Sequence, residues 1–463
     1  MSKALTAGTP WRVILLFALP LLVGNVVQQL YQVADAWVVG RELGVDALAA
    51  VGSTGAMMFL LLGFAWGMTS GFAIPAAQAF GAGDAEGVRR SVGAGVVLTG
   101  VATVVVMAVG SLVARPLLVL LQTPDVLLDD ATTFAVISFL GAFATMFFNY
   151  LAAIIRALGD SRTPLVFLAI SCLANIGLVY LFVAVLHAGV AGAALATVTA
   201  QTFSVVLCLT HVRRSIPALH ITRAHLRPSR AELAEHLRIG LPMGFHSSII
   251  ALGTLSVQVR LNTMGADAVA AWTTAARVDG LAVAFLASLG LAVSTFAAQN
   301  YGAGHTARIR RGVREGTLMS VAVSLVLTLV LITAGGPIIR SFVGDGEEQV
   351  VTLAHQFLVI NGAFYWGLGI LFTVRGALQG IGRTLVPTVT GVIELVMRVV
   401  AAIVLGGIFG FVGVAWGNPL AWFGSVLLLV PSWLAAVRSL RADELPPARP
   451  VRAPEAREEA VTV

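Results

Sequence analysis

Runs of about 20 apolar residues, the length an α-helix needs to cross a hydrocarbon core ~30 Å thick, recur from one end of this chain to the other. Twelve can be read in the 463 residues, at 13–39, 48–79, 91–114, 131–155, 164–186, 190–211, 239–262, 269–298, 316–339, 350–374, 386–408 and 412–436. Backbone N–H and C=O groups in lipid must pair within their own segment, so the spans are expected to be helices. A composition 58% hydrophobic and only 11% charged lies far from that of a soluble domain of this size. The reading is an all-α, multi-pass integral membrane protein of about 12 transmembrane helices.

The net charge of +6 would suit a nucleic-acid partner if the arginines formed one patch. They fall instead in alternate connections: Arg89 and Arg90; Arg156 and Arg162; the six arginines from Arg213 to Arg238; Arg308 to Arg314; Arg375 and Arg383; Arg438 and Arg441. The intervening connections hold Asp125, Asp129 and Asp130, or Asp345, Glu347 and Glu348. By the positive-inside rule both termini and the central connection are expected in the cytoplasm, and nucleic acid is not expected as a partner. Cys172 and Cys208 both lie in spans, which argues against an extracellular disulfide. The first apolar run reads as a full span without a small-residue cleavage site, and the Pro-rich, charged residues 441–463 read as a disordered tail.

The chain also repeats itself. "LGVDALAAVG" at 43–52 returns as "MGADAVAAWT" at 264–273, "AAQAFGAG" at 76–83 as "AAQNYGAG" at 297–304, "RALGDSRTP" at 156–164 as "QGIGRTLVP" at 379–387, and "GVAGAALAT" at 189–197 as "GFVGVAWGN" at 410–418. Four segments in one order at offsets of 221 to 223 residues indicate a duplicated unit of six spans. Six is even, so both units enter from the same side and are related by an axis along the membrane normal, as in carriers whose two bundles rock about a central site. The expected division is a first lobe at 1–212, a connection at 213–238 and a second lobe at 239–440. A duplicated scaffold, channel or membrane enzyme stays open on this evidence.

The stretch "NVVQQLYQVADAW" at 25–37 places an acid and four amides inside the first span. At roughly 100° per residue Asn25, Gln28, Gln29, Gln32 and Asp35 share an arc of about 120°. A carboxylate near mid-membrane costs at least ~2.5 to 3.5 kcal/mol, so Asp35 is expected to face a bundle interior or an aqueous cavity and to change charge in a cycle. The glutamines serve equally well as interhelical glue. Pro20 permits a bend in the same helix, static or coupled to Asp35.

With these residues in view the chain resembles the multidrug and toxic compound extrusion (MATE) family, especially its DNA-damage-inducible protein F branch. The likeness rests on "FALPLLVGNVVQQLYQVADAWVVGRELG", "AAQAFGAGD", "RALGDSRTP", "GAALATV", "RIGLPMG", "ARVDGLAVAF" and "FAAQNYGAG", and runs from about residue 10 to 440. It implies a V-shaped carrier of two six-helix lobes that expels amphipathic, cationic organic compounds in exchange for H+ or Na+, with no other cofactor. It implies that Asp35 is the first-helix carboxylate, that Pro20 is the proline where that helix bends, and that Asn149, Asn175 and Thr197, with Gln32, form a polar pocket around the acid. Where such relatives often carry a second aspartate, four residues after Asn175, this chain has Val179, so coupling through Asp35 alone is expected. Tyr180 either contributes a hydroxyl or packs as a core aromatic, the second being the expectation.

Further ionisable residues lie in the second half. Asp279 either lines the opening or is held by Arg277 or another base. Glu394 and Arg398, four apart on one helix, are expected to form an internal ion pair that locks structure. His246 aligns with Asn25 and is expected to be a hydrogen-bonded core histidine. No acid stands near Ser256 or among Asn361 and His355, where Na+-binding relatives carry them, which favours H+. "FGAGD" and "YGAGH" lack the Lys-Ser/Thr that would follow in a phosphate-binding loop and read as tight turns. Trp66, Phe143, Phe147, Phe148, Tyr365 and Trp366 either stack on a flat cation or pack the spans. The expectation is an H+-coupled antiporter in the cell membrane, a monomer acting on small amphipathic molecules. Na+ coupling and a lipid or lipid-linked saccharide flippase are the alternatives, and a membrane enzyme is disfavoured because the adjacent acids Asp129 and Asp130 fall in an exterior loop.

Overall fold

The computed structural model describes residues 5–343 and 347–441; Asp345 and all but the first residue of the tail read at 441–463 lie outside the described residues. The described chain is helical: α1 (Pro10–Leu43), α2 (Val45–Gly81), α3 (Ala85–Leu120), α4 (Asp125–Leu140), α5 (Ala142–Ala157), α6 (Arg162–Tyr180), α7 (Gly189–Ser215), α8 (Arg230–Asn262), α9 (Ala266–Gly302), α10 (Thr306–Val343), α11 (Glu348–Ala363), α12 (Tyr365–Gly380), α13 (Leu385–Val400), α14 (Gly406–Ala415) and α15 (Gly417–Arg441). Among the described residues ten helices are long and apolar enough to cross a membrane alone. With the pairs α4–α5 and α11–α12, bent by 46° and 52°, each taken as one span, the number is twelve.

The duplication shows in local detail as well as in helix order. α2 and α9 each have 37 residues, the two bent pairs occupy matching positions, and α6 and α13 both run into π-helical turns, Leu181–Val185 and Ala401–Leu405. The bends have physical causes. At the α4–α5 break Gly141 leaves room for Val198 of α7, whose methyl groups occupy the place of any Cβ there. At the α11–α12 break the hydroxyls of Ser324 and Thr328, on α10, donate to the carbonyls of Tyr365 (3.0 Å) and Gly362 (2.5 Å), the second an acceptor in the last turn of α11 that the helix no longer satisfies.

Helices outrun the apolar runs that predicted them. α7 continues through Arg213 and Arg214, and α8 starts at Arg230, so both helices reach into the connection expected at 213–238 and leave 216–229 between them. A capping box fixes that start: Ser229 Oγ accepts from the Glu232 N–H (3.2 Å) and the Glu232 carboxylate accepts from the Ser229 N–H (2.7 Å). Arg156 and Arg375, counted in the sequence as loop charges, stand inside α5 and α12. α1 is an unbroken helix through Pro20.

Candidate functional site

α1 packs against α6 in its own half and against α9 in the other. Its polar stripe therefore serves two neighbours. Asn25 crosses between the halves, its amide donating to Ser288 Oγ (3.0 Å) and the Ala284 carbonyl (3.5 Å) of α9. Gln28, Gln29 and Gln32 are exposed and make no side-chain hydrogen bond with the described residues. Asp35 is half-buried, and its Oδ1 is enclosed with no partner among those residues.

One turn before it, the hydroxyl of Tyr31 is likewise enclosed and unpartnered, beside Thr197 and close to Asp35. Asn175 is fully buried; its amide donates to Thr197 Oγ1 (3.3 Å), Thr197 donates to the Ala193 carbonyl (3.2 Å), and Asn175 Oδ1 is left open. The structure thus brings Tyr31, Asp35 and Thr197 together, with Asn175 bonded to the last. Asn149, half-buried on α5, and Gln32 enter no hydrogen bond with that group. Tyr31 was missed in the sequence, although the four-residue spacing to Asp35 places both on one helix face. Val179 is fully buried among Val38, Val39, Val183 and Ala193, an apolar setting with no polar role for that position. Tyr180 is 56% exposed, so the core role expected for it is wrong: the helix turns it away from that cluster.

The second half treats its acids differently. Asp279 Oδ1 accepts from the buried Tyr365 hydroxyl (2.6 Å), whereas Arg277 is exposed and forms no ion pair with it. Glu394 Oε1 accepts from Arg375 Nη2 and from Ser425 Oγ (3.0 Å), while Arg398 Nη2 lies 4.0 Å from Oε2. Glu394 and Arg375 are buried, and the Arg398 side chain is 13% exposed. A buried ion pair persists only when its lone pairs and protons are matched, and here the hydroxyls of Thr390 and Ser425 join the cluster. The spacing of Glu394 and Arg398 is visible on one helix, but Arg375, the tighter partner, comes from another and leaves no local trace.

Between the halves lies a cavity of about 300 Å³. Its walls come from α1, α2, α5, α8, α9 and α12, including Asn25, Trp66, Arg156, His246, Phe372, Arg375 and Gln379. Neither Asp35 nor Asp279 is among the lining residues. His246 is buried there with Nε2 unpartnered, against the expectation of a hydrogen-bonded histidine. Of the six aromatics considered in the sequence, only Trp66 lines this cavity; Phe148 is core and Trp366 packs on Phe423.

Beside the cavity a two-fold latch joins the halves. The Gln78 amide, near the end of α2, donates to the Gly380 carbonyl at the end of α12 (2.9 Å), and its repeat mate Gln299 donates to the Ala157 carbonyl at the end of α5 (2.7 Å). Both bonds cross between halves, and Ala157 and Gly380 are themselves repeat mates. Gly81 and Gly302 permit the approach: a Cβ at either would overlap the carbonyl of Gln299 or Gln78. Just beyond, Gly83 (φ 73°) and Gly304 (φ 72°) take the left-handed conformation that closes each turn. The chain start is tied into the same latch, the Leu5 N–H donating to Gln299 Oε1 (2.7 Å). Among the described residues no group of three or more His, Cys, Asp or Glu could hold a metal ion.

Comparison with known proteins accords with this architecture. The chain is 30% identical to the probable multidrug resistance protein YoeA of Bacillus subtilis over 90% of its own length and 92% of that protein's, and 28% identical to the probable multidrug resistance protein YpnP of the same organism over 82% and 84%. Among solved structures, a MATE protein in the bent conformation superposes with a TM-score of 0.87 at 21% identity, covering 95% of this chain and 98% of that one. The MatE family pattern matches residues 20–181 and 242–424, one stretch in each half. The chain belongs to the MatE family of membrane transporters and is a multi-pass carrier rather than an enzyme.

Proposed function

We propose that this carrier is a proton-coupled antiporter that exports amphipathic, cationic organic compounds, with Asp35 holding either H+ or the cation. The observation that carries the reading is a contrast. Of the three carboxylates deep in the spans, Asp279 and Glu394 are bonded to protein groups, and Asp35 alone has no partner among the described residues. An acid in that position can exchange one positive charge for another, because no fixed cation competes for it. The names of the relatives, probable multidrug resistance proteins, support the substrate class.

In this cycle a proton entering from outside neutralises Asp35 and weakens the hold on a bound cation. A cation arriving from within displaces the proton in turn. Exchange requires that each ligand favour one orientation of the halves, which the latch at Gln78 and Gln299 can bias by holding one end closed. The halves 1–212 and 239–440 then move as units about the 213–238 connection. The latch end, both termini and that connection face the cytoplasm of a plasma or inner membrane, a reading the arginine-rich turns there support. The working unit is a monomer, and no cofactor other than the coupling ion takes part.

Dye transport into everted vesicles, energised separately by proton and sodium gradients, tests the reading. A proton gradient alone should drive transport in the wild type and fail to do so in Asp35→Asn at equal expression. Near-normal proton-driven transport by that variant, or a dependence on sodium alone, would overturn it.

A further inference from the structure

The cavity between the halves carries charge of a sign that Asp35 does not account for. Two arginines line it, and among its described lining residues there is no aspartate or glutamate. Arg375 has Glu394 behind it, yet its Nε is enclosed without a partner. Arg156 is half-buried in the last turn of α5, and its side chain makes no hydrogen bond or ion pair with any described residue. The next acid along the chain, Asp160, is already engaged: it accepts from the N–H groups of Arg162 and Thr163 (both 3.0 Å) and from the Thr163 hydroxyl (2.6 Å).

A guanidinium withdrawn from bulk water loses hydration that an anion must replace, and its planar fork suits the paired oxygens of a carboxylate or phosphate. The fold does not demand the charge. The repeat mate of Arg156 is Gln379, an uncharged residue that lines the same cavity. Nor does a purely topological role explain it, since a positive-inside signal works from the membrane surface and Arg156 faces an internal cavity.

We infer that the cavity between the halves binds the acidic head, carboxylate or phosphate, of an organic amphiphile. Arg156 holds the oxygens, with Arg375 also in the wall, and Trp66 and Phe372 flank the apolar body. A volume of about 300 Å³ suits a ligand of one or two rings or the head of a single-chain lipid. Asp35 lies outside this cavity, so an acid bound here and a cation bound there do not compete for one side chain. The site extends the ligand range of the carrier beyond cations and stands independently of the coupling ion.

Isothermal titration of the purified full-length protein in neutral detergent tests it, with 1-naphthoate, its ester methyl 1-naphthoate and the cation 1-naphthylmethylammonium as probes. Naphthoate should bind at least about tenfold more tightly than either of the others, or ~1.4 kcal/mol. Arg156→Gln should erase that preference and Arg156→Lys should keep most of it. Competition separates the sources: displacement of naphthoate by lysophosphatidylglycerol alone marks a membrane lipid, by naphthyl phosphate alone a soluble acid, and by both a shared site. Displacement by neither, equal binding of ester and acid, or an undiminished preference in Arg156→Gln would overturn the inference. Should Arg156→Gln not fold, the comparison of acid with ester in the wild type still decides. No ion gradient enters this experiment, so its failure is distinct from a failure of proton coupling.

Discussion

The two halves of this carrier come from one duplicated bundle, and they keep their gate alike while treating their acids in opposite ways. Gln78 and Gln299 make two-fold-related bonds, and Gly81 and Gly302 make two-fold-related contacts. By contrast Asp35 is unpartnered in the first half, whereas in the second Tyr365 holds Asp279, and Arg375, Arg398 and Ser425 surround Glu394. Closing a gate about a two-fold axis needs matched surfaces, so that geometry survives duplication. Changing charge in a cycle needs only one acid, and a second free acid in lipid would cost stability without adding a step. The second half instead uses its acids to fix helices α9, α12, α13 and α15 to one another.

This contrast can be broken most decisively at Asp35. Asp35→Asn should abolish proton-driven export while leaving the unfolding temperature in detergent close to wild type, because no bonded partner is lost. Glu394→Ala should do the reverse first: it leaves Arg375 and Arg398 buried without an anion, a loss of about 3–5 kcal/mol expected as a large drop in thermal stability. Equal stability of the two variants would mean that the halves do not differ as described.

The shared gate offers a control with a smaller effect. Gly81→Val and Gly302→Val each place atoms where a carbonyl of the other half sits, and overpacking should disfavour the closed gate by about 1–3 kcal/mol. Both should raise, to a similar degree, the reactivity of a cysteine placed at Ala298 toward an impermeant maleimide added on the latch side. A marked inequality between them would deny the two-fold character of the latch. Smallest is Tyr365→Phe, which removes one hydrogen bond to Asp279 and should lower stability by about 1 kcal/mol with export retained. Loss of export there would bring Asp279 into the transport cycle.

Much of this was legible in the sequence because it is written in local periodicity. Apolar runs gave the spans, the offset of 221 to 223 residues gave the duplication, and the stripe from Asn25 to Asp35 marked the polar face of α1. What escaped depends on neighbours distant in the chain. Arg375 and Glu394 are 19 residues apart on different helices, so no helical spacing joins them. Arg156 and Arg375 follow apolar runs and so resemble surface charges, but α5 and α12 extend far enough to carry both into the cavity. Tyr31 was within reach of sequence reasoning, four residues before Asp35, but its aromatic ring hid its hydroxyl among the packing residues.

The central claim is that Asp35 alone exchanges a proton for a cation. Its most direct test is proton release from the purified protein in weakly buffered detergent as a cationic dye is added. About one proton should be released per bound cation in the wild type, unchanged in Asp279→Asn and absent in Asp35→Asn. Release that persists in Asp35→Asn, or disappears in Asp279→Asn, would contradict it.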